Sequence, residues 1–164
     1  MNKKQVFGFL LLGWLSWSLL ADSDILVSVE DELNDFHRAA ADADFERYFS
    51  HFSQTSVFLG TDASERWSKR EFMEYARPSY AAGKGWTYQV LERHVSYSTD
   101  GDVAWFDERL NNKNLGECRG SGVLVIEGDR WKVSQYNLTI PVPNDIVDAV
   151  VELIEEATTT HSSE

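Results

Sequence analysis

The stretch that most constrains the fold is Gly116–Pro143, GECRGSGVLVIEGDRWKVSQYNLTIPVP, which reads as two long strands joined by a tight turn. Gly122–Ile126 is an apolar, mostly β-branched run, and Glu127-Gly128-Asp129-Arg130 places a glycine in a polar turn. Beyond the turn, Trp131, Val133, Gln135, Asn137 and Thr139 alternate with Lys132, Ser134, Tyr136, Leu138 and Ile140. Two core residues followed by two amides predict a face that changes from packed core to the wall of a pocket. The turn has two readings. A two-residue turn at Gly128-Asp129 pairs Ile126 with Trp131 and sets Gly120 and Gly122 on the Gln135 face. A three-residue turn pairs Glu127 with Trp131, with Ser121 opposite Asn137 and Arg119 opposite Thr139. The second is preferred, because it gathers Arg119, Ser121, Gln135 and Asn137 into one patch where each polar group has a partner.

The same period of two runs upstream. Trp86–Ser98 and Val103–Asn111 read as strands, the latter with Val103, Trp105, Asp107 and Arg109 on one face. Helical spacing precedes them. Ile25, Val29, Leu33, Phe36 and Ala40 define a helix over 24–41. Phe45, Tyr48, Phe49 and Phe52 define a short one capped by Asp42 or Asp44. A third starts at the capping box Ser68/Glu71 and is interrupted by Pro78. Between them lie a short strand, Ser56–Gly60, and a loop to Trp67 with one or two strand residues near Arg66. After Pro143, Asn144 or Asp145 caps a helix over 144–157, and 158–164 is expected to be a disordered tail. Helices first and four consecutive antiparallel strands after predict an α+β domain, in which N-terminal helices cover one face of a curved antiparallel sheet and a C-terminal helix is added.

The chain opens with a basic head, Met1-Asn2-Lys3-Lys4, and an uncharged apolar run from Val6 to Ala21. This is the layout of a secretory signal peptide, with cleavage expected after Ala21; an uncleaved anchor is the alternative. Residues 22–143 then form the single domain. Losing Lys3 and Lys4 takes the formal net charge from −12 to −14. So acidic a domain is a poor partner for nucleic acid or anionic membrane. Export also sets the localisation, secreted or periplasmic, with no membrane association once the leader is gone. Cys118 is the only cysteine, so no intrachain disulfide forms. No phosphate-binding glycine loop, nucleophile elbow or zinc spacing occurs, and neither a metal nor a cofactor is expected; His37 and His51 lack the paired spacing of a metal site.

Two helices, a strand, Gly60-Thr61-Asp62…Glu65…Trp67, a helix and four long strands resemble the nuclear transport factor 2-like superfamily, and within it the SnoaL-like, ketosteroid-isomerase-like branch. Arg119-Gly120-Ser121 and Gly128–Val133 running into Pro141-Val142-Pro143 carry the same resemblance, over about residues 24–143. It implies a cone-shaped fold with a pocket between helices and sheet, and commonly a homodimer through the outer sheet face. The function is left open, since that fold hosts isomerases, dehydratases, cyclases, binders and assembly modules. Many relatives carry His-x-His in the last strand, where this chain has Gln135-Tyr136-Asn137; amides do not titrate near neutrality.

These readings favour a non-catalytic pocket for a small apolar or amphipathic molecule with a polar or anionic end. Phe58, Trp67 and Trp105 are expected as walls, with Arg119, Ser121, Gln135 and Asn137 orienting the ligand. The alternatives are a cofactor-free acid–base enzyme of isomerase, dehydratase or cyclase type, with Asp62, Glu65 or Asp107 as base, and an assembly module docking through its C-terminal helix. Asp62 and Glu65 also read as turn and cap residues.

Overall fold

The computed structural model describes the backbone of residues 11–161 and the side chains of residues 25–159. Helix α1 (Leu11–Ala41) leads to α2 (Phe45–Ser50), β1 (Phe52–Leu59), β2 (Arg66–Ser68) and α3 (Lys69–Ala81). Then come β3 (Gln89–Tyr97), β4 (Val103–Asn112), β5 (Gly116–Glu127), β6 (Arg130–Thr139), a 3-10 turn at Asn144–Ile146 and α4 (Val147–His161). The expected leader falls partly on α1; residues 1–10 lie outside the described residues. Helix α4 runs through Thr158 and Thr159, where a disordered tail is expected from the sequence, and 162–164 again lie outside.

Local chemistry sets these boundaries. Asp44 caps α2 by accepting from the Arg47 amide. At the start of α3 both halves of the Ser68/Glu71 capping box form. Pro78 does not interrupt α3 as the sequence suggests. It stands in the last helical turns on the exposed side, where the carbonyl it leaves free, that of Glu74, lies on an exposed residue.

The six strands make one curved, unclosed sheet in the order β2-β1-β6-β5-β4-β3. All pairs are antiparallel except β1 with β6. Helices α1 to α3 fill the concave side. Val29, Leu33 and Phe36 come from α1, Tyr48 and Phe49 from α2, and Phe72, Ala76 and Tyr80 from α3. The sheet answers with Phe106, Leu110, Leu124, Val133, Tyr136 and Leu138. Full burial of each large apolar side chain is worth about 1.5–3 kcal/mol, so this aromatic layer dominates the stability.

The last hairpin differs from the preferred reading at its turn and agrees with it further along. The turn has two residues: Ile126 pairs with Trp131 and Glu127 with Arg130. Gly128 has φ 71°, which a type II′ turn requires at its first central position. A bulge then inserts Ser134. Leu124 pairs with Val133, Val123 pairs with Gln135, and beyond that Ser121 meets Asn137 and Arg119 meets Thr139. The bulge supplies the extra residue that a longer turn was expected to supply. It also reverses which side chains face inward. Trp131 and Val133 are buried before it, and Tyr136 and Leu138 after it. The inward face therefore never becomes the Gln135/Asn137 face. It passes to the alternate set of side chains.

Candidate functional site

The concave side holds a cavity of about 320 Å³ between α1, α2, α3 and the sheet. Its walls are aromatic: Phe36, Tyr48, Phe58, Trp67, Phe72 and Trp86 among them. Several of these rings lie nearly parallel. Phe58 and Phe72 stack with centroids 3.9 Å apart, and Trp67 and Phe72 are inclined by only 6°. The mouth is polar, with Thr61, Glu65, Asn112 and Asn114, and among the described residues no Lys or Arg lines the cavity.

Its polar floor comes from alternation in β4. Ala104, Phe106, Glu108 and Leu110 all face inward, so a carboxylate occupies an apolar phase of the strand. Glu108 has no exposed surface. Such a charge must be paired. His37 on α1 meets Glu108 Oε1 through Nε2 at 2.7 Å, and the Tyr136 hydroxyl donates to the same oxygen at 3.0 Å. Arg93 on β3 donates through Nε to Oε2 at 2.8 Å, and its other branch bonds Glu30 at 2.8 Å and Asn34 at 2.9 Å on α1. Burial pushes the Glu108 carboxyl upward, but the hydrogen bonds and charges of His37 and Arg93 outweigh it and hold it below the usual value. Burial raises Tyr136 well above the usual phenol value, and the Glu108 charge adds to it. Gly120 makes room for this contact: a Cβ there would overlap the Tyr136 hydroxyl and Glu108. His37 and Tyr136 line the cavity, with Glu108 bonded behind them.

The expected site residues divide between two faces of the sheet. Phe58, Trp67 and Glu65 line the cavity. Trp105, Asp107, Arg119 and Gln135 are exposed on the outer face, with Ser121 and Asn137 half-buried beside them. The alternation that buries Phe106 and Glu108 must turn Trp105 and Asp107 outward, and the Ser134 bulge does the same for Gln135 and Asn137. Arg119 sits opposite Arg109 and not opposite Asp107, and Arg109 pairs with Glu117 at 3.1 Å. Asp62 is exposed and accepts from the Ser64 amide at 2.8 Å and hydroxyl at 2.5 Å; these bonds hold its carboxyl below the usual value. Glu65 accepts from the Asp62 amide at 3.2 Å. Both fit the turn-and-cap reading better than that of a poised base.

His37, Arg93 and Glu108 are the residues that strand-by-strand reading missed. Glu108 was detectable as a charge in the apolar phase of β4. A second cluster, His51 with Glu32 at 2.7 Å and Asp35 at 3.2 Å, joins α1 to the α2–β1 junction. It lies off the cavity wall. Among the described residues no group of three or more His, Cys, Asp or Glu could hold a metal, and no helix is long and apolar enough to cross a membrane.

A helix-covered, curved sheet around an aromatic cavity is the architecture of nuclear transport factor 2-like proteins. The chain belongs to the SnoaL-like domain family, whose model matches residues 29–143. Solved structures share the fold. An NTF2-like protein from Pseudomonas putida KT2440 superposes with TM-score 0.61 at 13% identity, over 77% of this chain and 90% of its own. A cystatin-like fold protein from Burkholderia xenovorans LB400 gives 0.61 at 17%, over 73% and 95%. A ketosteroid isomerase-like protein from Erwinia carotovora atroseptica SCRI1043 gives 0.54 at 18%, over 72% and 97%. No curated protein sequence matches the chain.

Proposed function

We propose that the domain binds a small, largely apolar molecule in the aromatic cavity, with the ligand's polar end at the His37/Tyr136 floor. One observation carries this reading: about 320 Å³ of space is walled by aromatic rings yet ends on a built polar cluster. Small-molecule sites have this composition, apolar walls with a few placed polar groups. Among the described residues no Lys or Arg stands in the wall, which moves the expected ligand away from an anion towards a neutral molecule. Native mass spectrometry of the full chain purified from its own host tests the reading. A co-purified small molecule, lost in a Trp67→Ala, Trp86→Ala variant, is expected. A bare mass, together with no quenching of tryptophan fluorescence by 1-naphthol, would remove it.

The partner and localisation expectations stand as part of the proposal. The protein is exported, its 1–21 segment is removed, and two copies associate through the outer sheet face, where Trp105 is 49% exposed. N-terminal sequencing of the host protein and light scattering decide both. An assembly role is favoured by one feature: α4 and its lead-in expose Ile146, Val151, Leu153 and Ile154. Binding of the small molecule that persists after truncation at Pro143 would leave α4 outside the primary site.

A further inference from the structure

We propose that α4 is a lid that docks on the cavity mouth and closes it over a bound molecule. The gating rests on the cavity being a ligand site; the docking does not. The family model ends at residue 143, so α4 follows the domain as an addition to it. Val147, Val150, Ile154 and Ala157 recur along it at three- and four-residue spacing, and Ile146, Val151 and Leu153 widen the apolar stripe. The stripe stands in solvent, with Ile154 60% exposed. A second uncovered apolar surface lies at the mouth. Tyr75 is 56% exposed there and stacks on half-buried Trp67, centroids 4.6 Å apart, and Leu115 is exposed in the β4–β5 turn. A helix of this length is held by packing its apolar face, so each of the two surfaces supplies what the other lacks.

Chain continuity and charge single out this pairing. Strand β6 ends at Thr139, next to Leu138 in the cavity wall, so α4 is tethered at the mouth end of the sheet. Its lead-in, Ile140–Pro143, reaches about 13 Å when extended, and Pro143 has the extended angles φ −58° and ψ 138°. The helix itself, 15 residues, is about 22 Å long. Residues 144–164 carry Asp145, Asp148, Glu152, Glu155, Glu156 and Glu164 and no Lys or Arg. Two such helices from two copies would set like charges along one seam, and an anionic membrane would repel the helix. The mouth carries cations instead: exposed Arg66 adjoins Glu65 and Trp67, and exposed Lys113 lies between Asn112 and Asn114. The acids of the β1–β2 loop, Asp62 and Glu65, are engaged locally, by Ser64 and by the Asp62 amide. Asp148 and Glu155 edge the stripe beside Val151, so a helix lying on Tyr75 and Leu115 brings acids to a basic rim. Closure shuts water out and makes release wait on the lid's opening.

Docking is tested on the full chain without a ligand. Leu153→Cys on α4 is combined with Lys113→Cys or with Ser64→Cys, which lie on opposite sides of β6 in the sheet order. Dibromobimane, which fluoresces on bridging two thiols, is then added; Cys118 is buried and left in place. A bridge within one chain, identified by peptide mass, is expected for at least one pair. It should form about tenfold more slowly when Val150→Gln and Ile154→Gln remove the stripe. Both positions lie on the solvent-facing helix, outside the domain's core. An equal rate would mean that α4 is only tethered, a bridge between two chains would place it on a second copy, and no bridge would leave it undocked. Each of these overturns the lid. Gating is read from stopped-flow release of 1-naphthol, followed by tryptophan fluorescence. The Val150→Gln, Ile154→Gln chain should still bind 1-naphthol and release it about tenfold faster than the wild-type chain. Equal release rates would remove the lid and leave the binding site. If 1-naphthol quenches neither chain, the binding site and the gating fall together.

Discussion

Asp107 and Glu108 are chemically near-identical neighbours, and the sheet gives them opposite surroundings. Asp107 faces water beside Trp105 and Arg109. Glu108 is fully buried, with donors from α1, β3 and β6. The outer face carries charges in pairs that solvent screens, such as Arg109 with Glu92 and Glu117. The inner face carries one carboxylate that must be satisfied by several partners at once. Carboxylates cannot be ranked for function by residue type or by sequence neighbours. The phase of the strand decides, and a single inserted residue can reverse that phase.

The largest break of this comparison is Glu108→Gln. It leaves Arg93 buried without its full counter-charge and should cost about 3–5 kcal/mol in urea denaturation. Asp107→Asn should stay within about 0.5 kcal/mol. Equal costs for the two would mean that the faces do not differ as described. Tyr136→Phe isolates one bond of the network, a hydroxyl on a buried carboxylate, and should cost about 1.5–3 kcal/mol.

Much of the fold was legible because its signals are local. The Ser68/Glu71 capping box and the alternation of β4 each rest on a few adjacent residues, and both appear where the pattern places them. The cavity wall was partly legible: Phe58 and Trp67 are there. The polar floor was not assembled, because His37 and Glu108 are 71 positions apart and meet only when α1 crosses β4. The face of Gln135 and Asn137 was misread for a different reason. Nothing in Val133-Ser134-Gln135 marks a bulge, so strict alternation carries the core phase one residue too far. Arg119, Ser121, Gln135 and Asn137 share a face of the hairpin, but it is the outer one.

Acid titration gives the smallest and most selective test of the two faces. Glu108 is held below the ordinary carboxylate value of 4.5 in the folded state. Between that value and its lowered one, the unfolded chain binds the proton and the folded chain does not. The stability it contributes is thus complete above about pH 4.5 and is lost as pH falls through the folded value. Glu117 on the outer face is also lowered, by its hydrogen bond with Arg109 first and then by that residue's charge, but it is fully exposed. At physiological ionic strength its contribution should be screened, so Arg109→Ala should leave the urea midpoint unmoved at any pH. Glu108→Gln, by contrast, should flatten the acid limb of the midpoint curve. The measurement is the midpoint of urea denaturation from pH 3 to pH 7 in low and physiological salt. An acid limb that survives in Glu108→Gln, or that collapses in Arg109→Ala, would transfer the pH sensitivity from the buried carboxylate to the surface pairs. The outer face would then be the electrostatically active one.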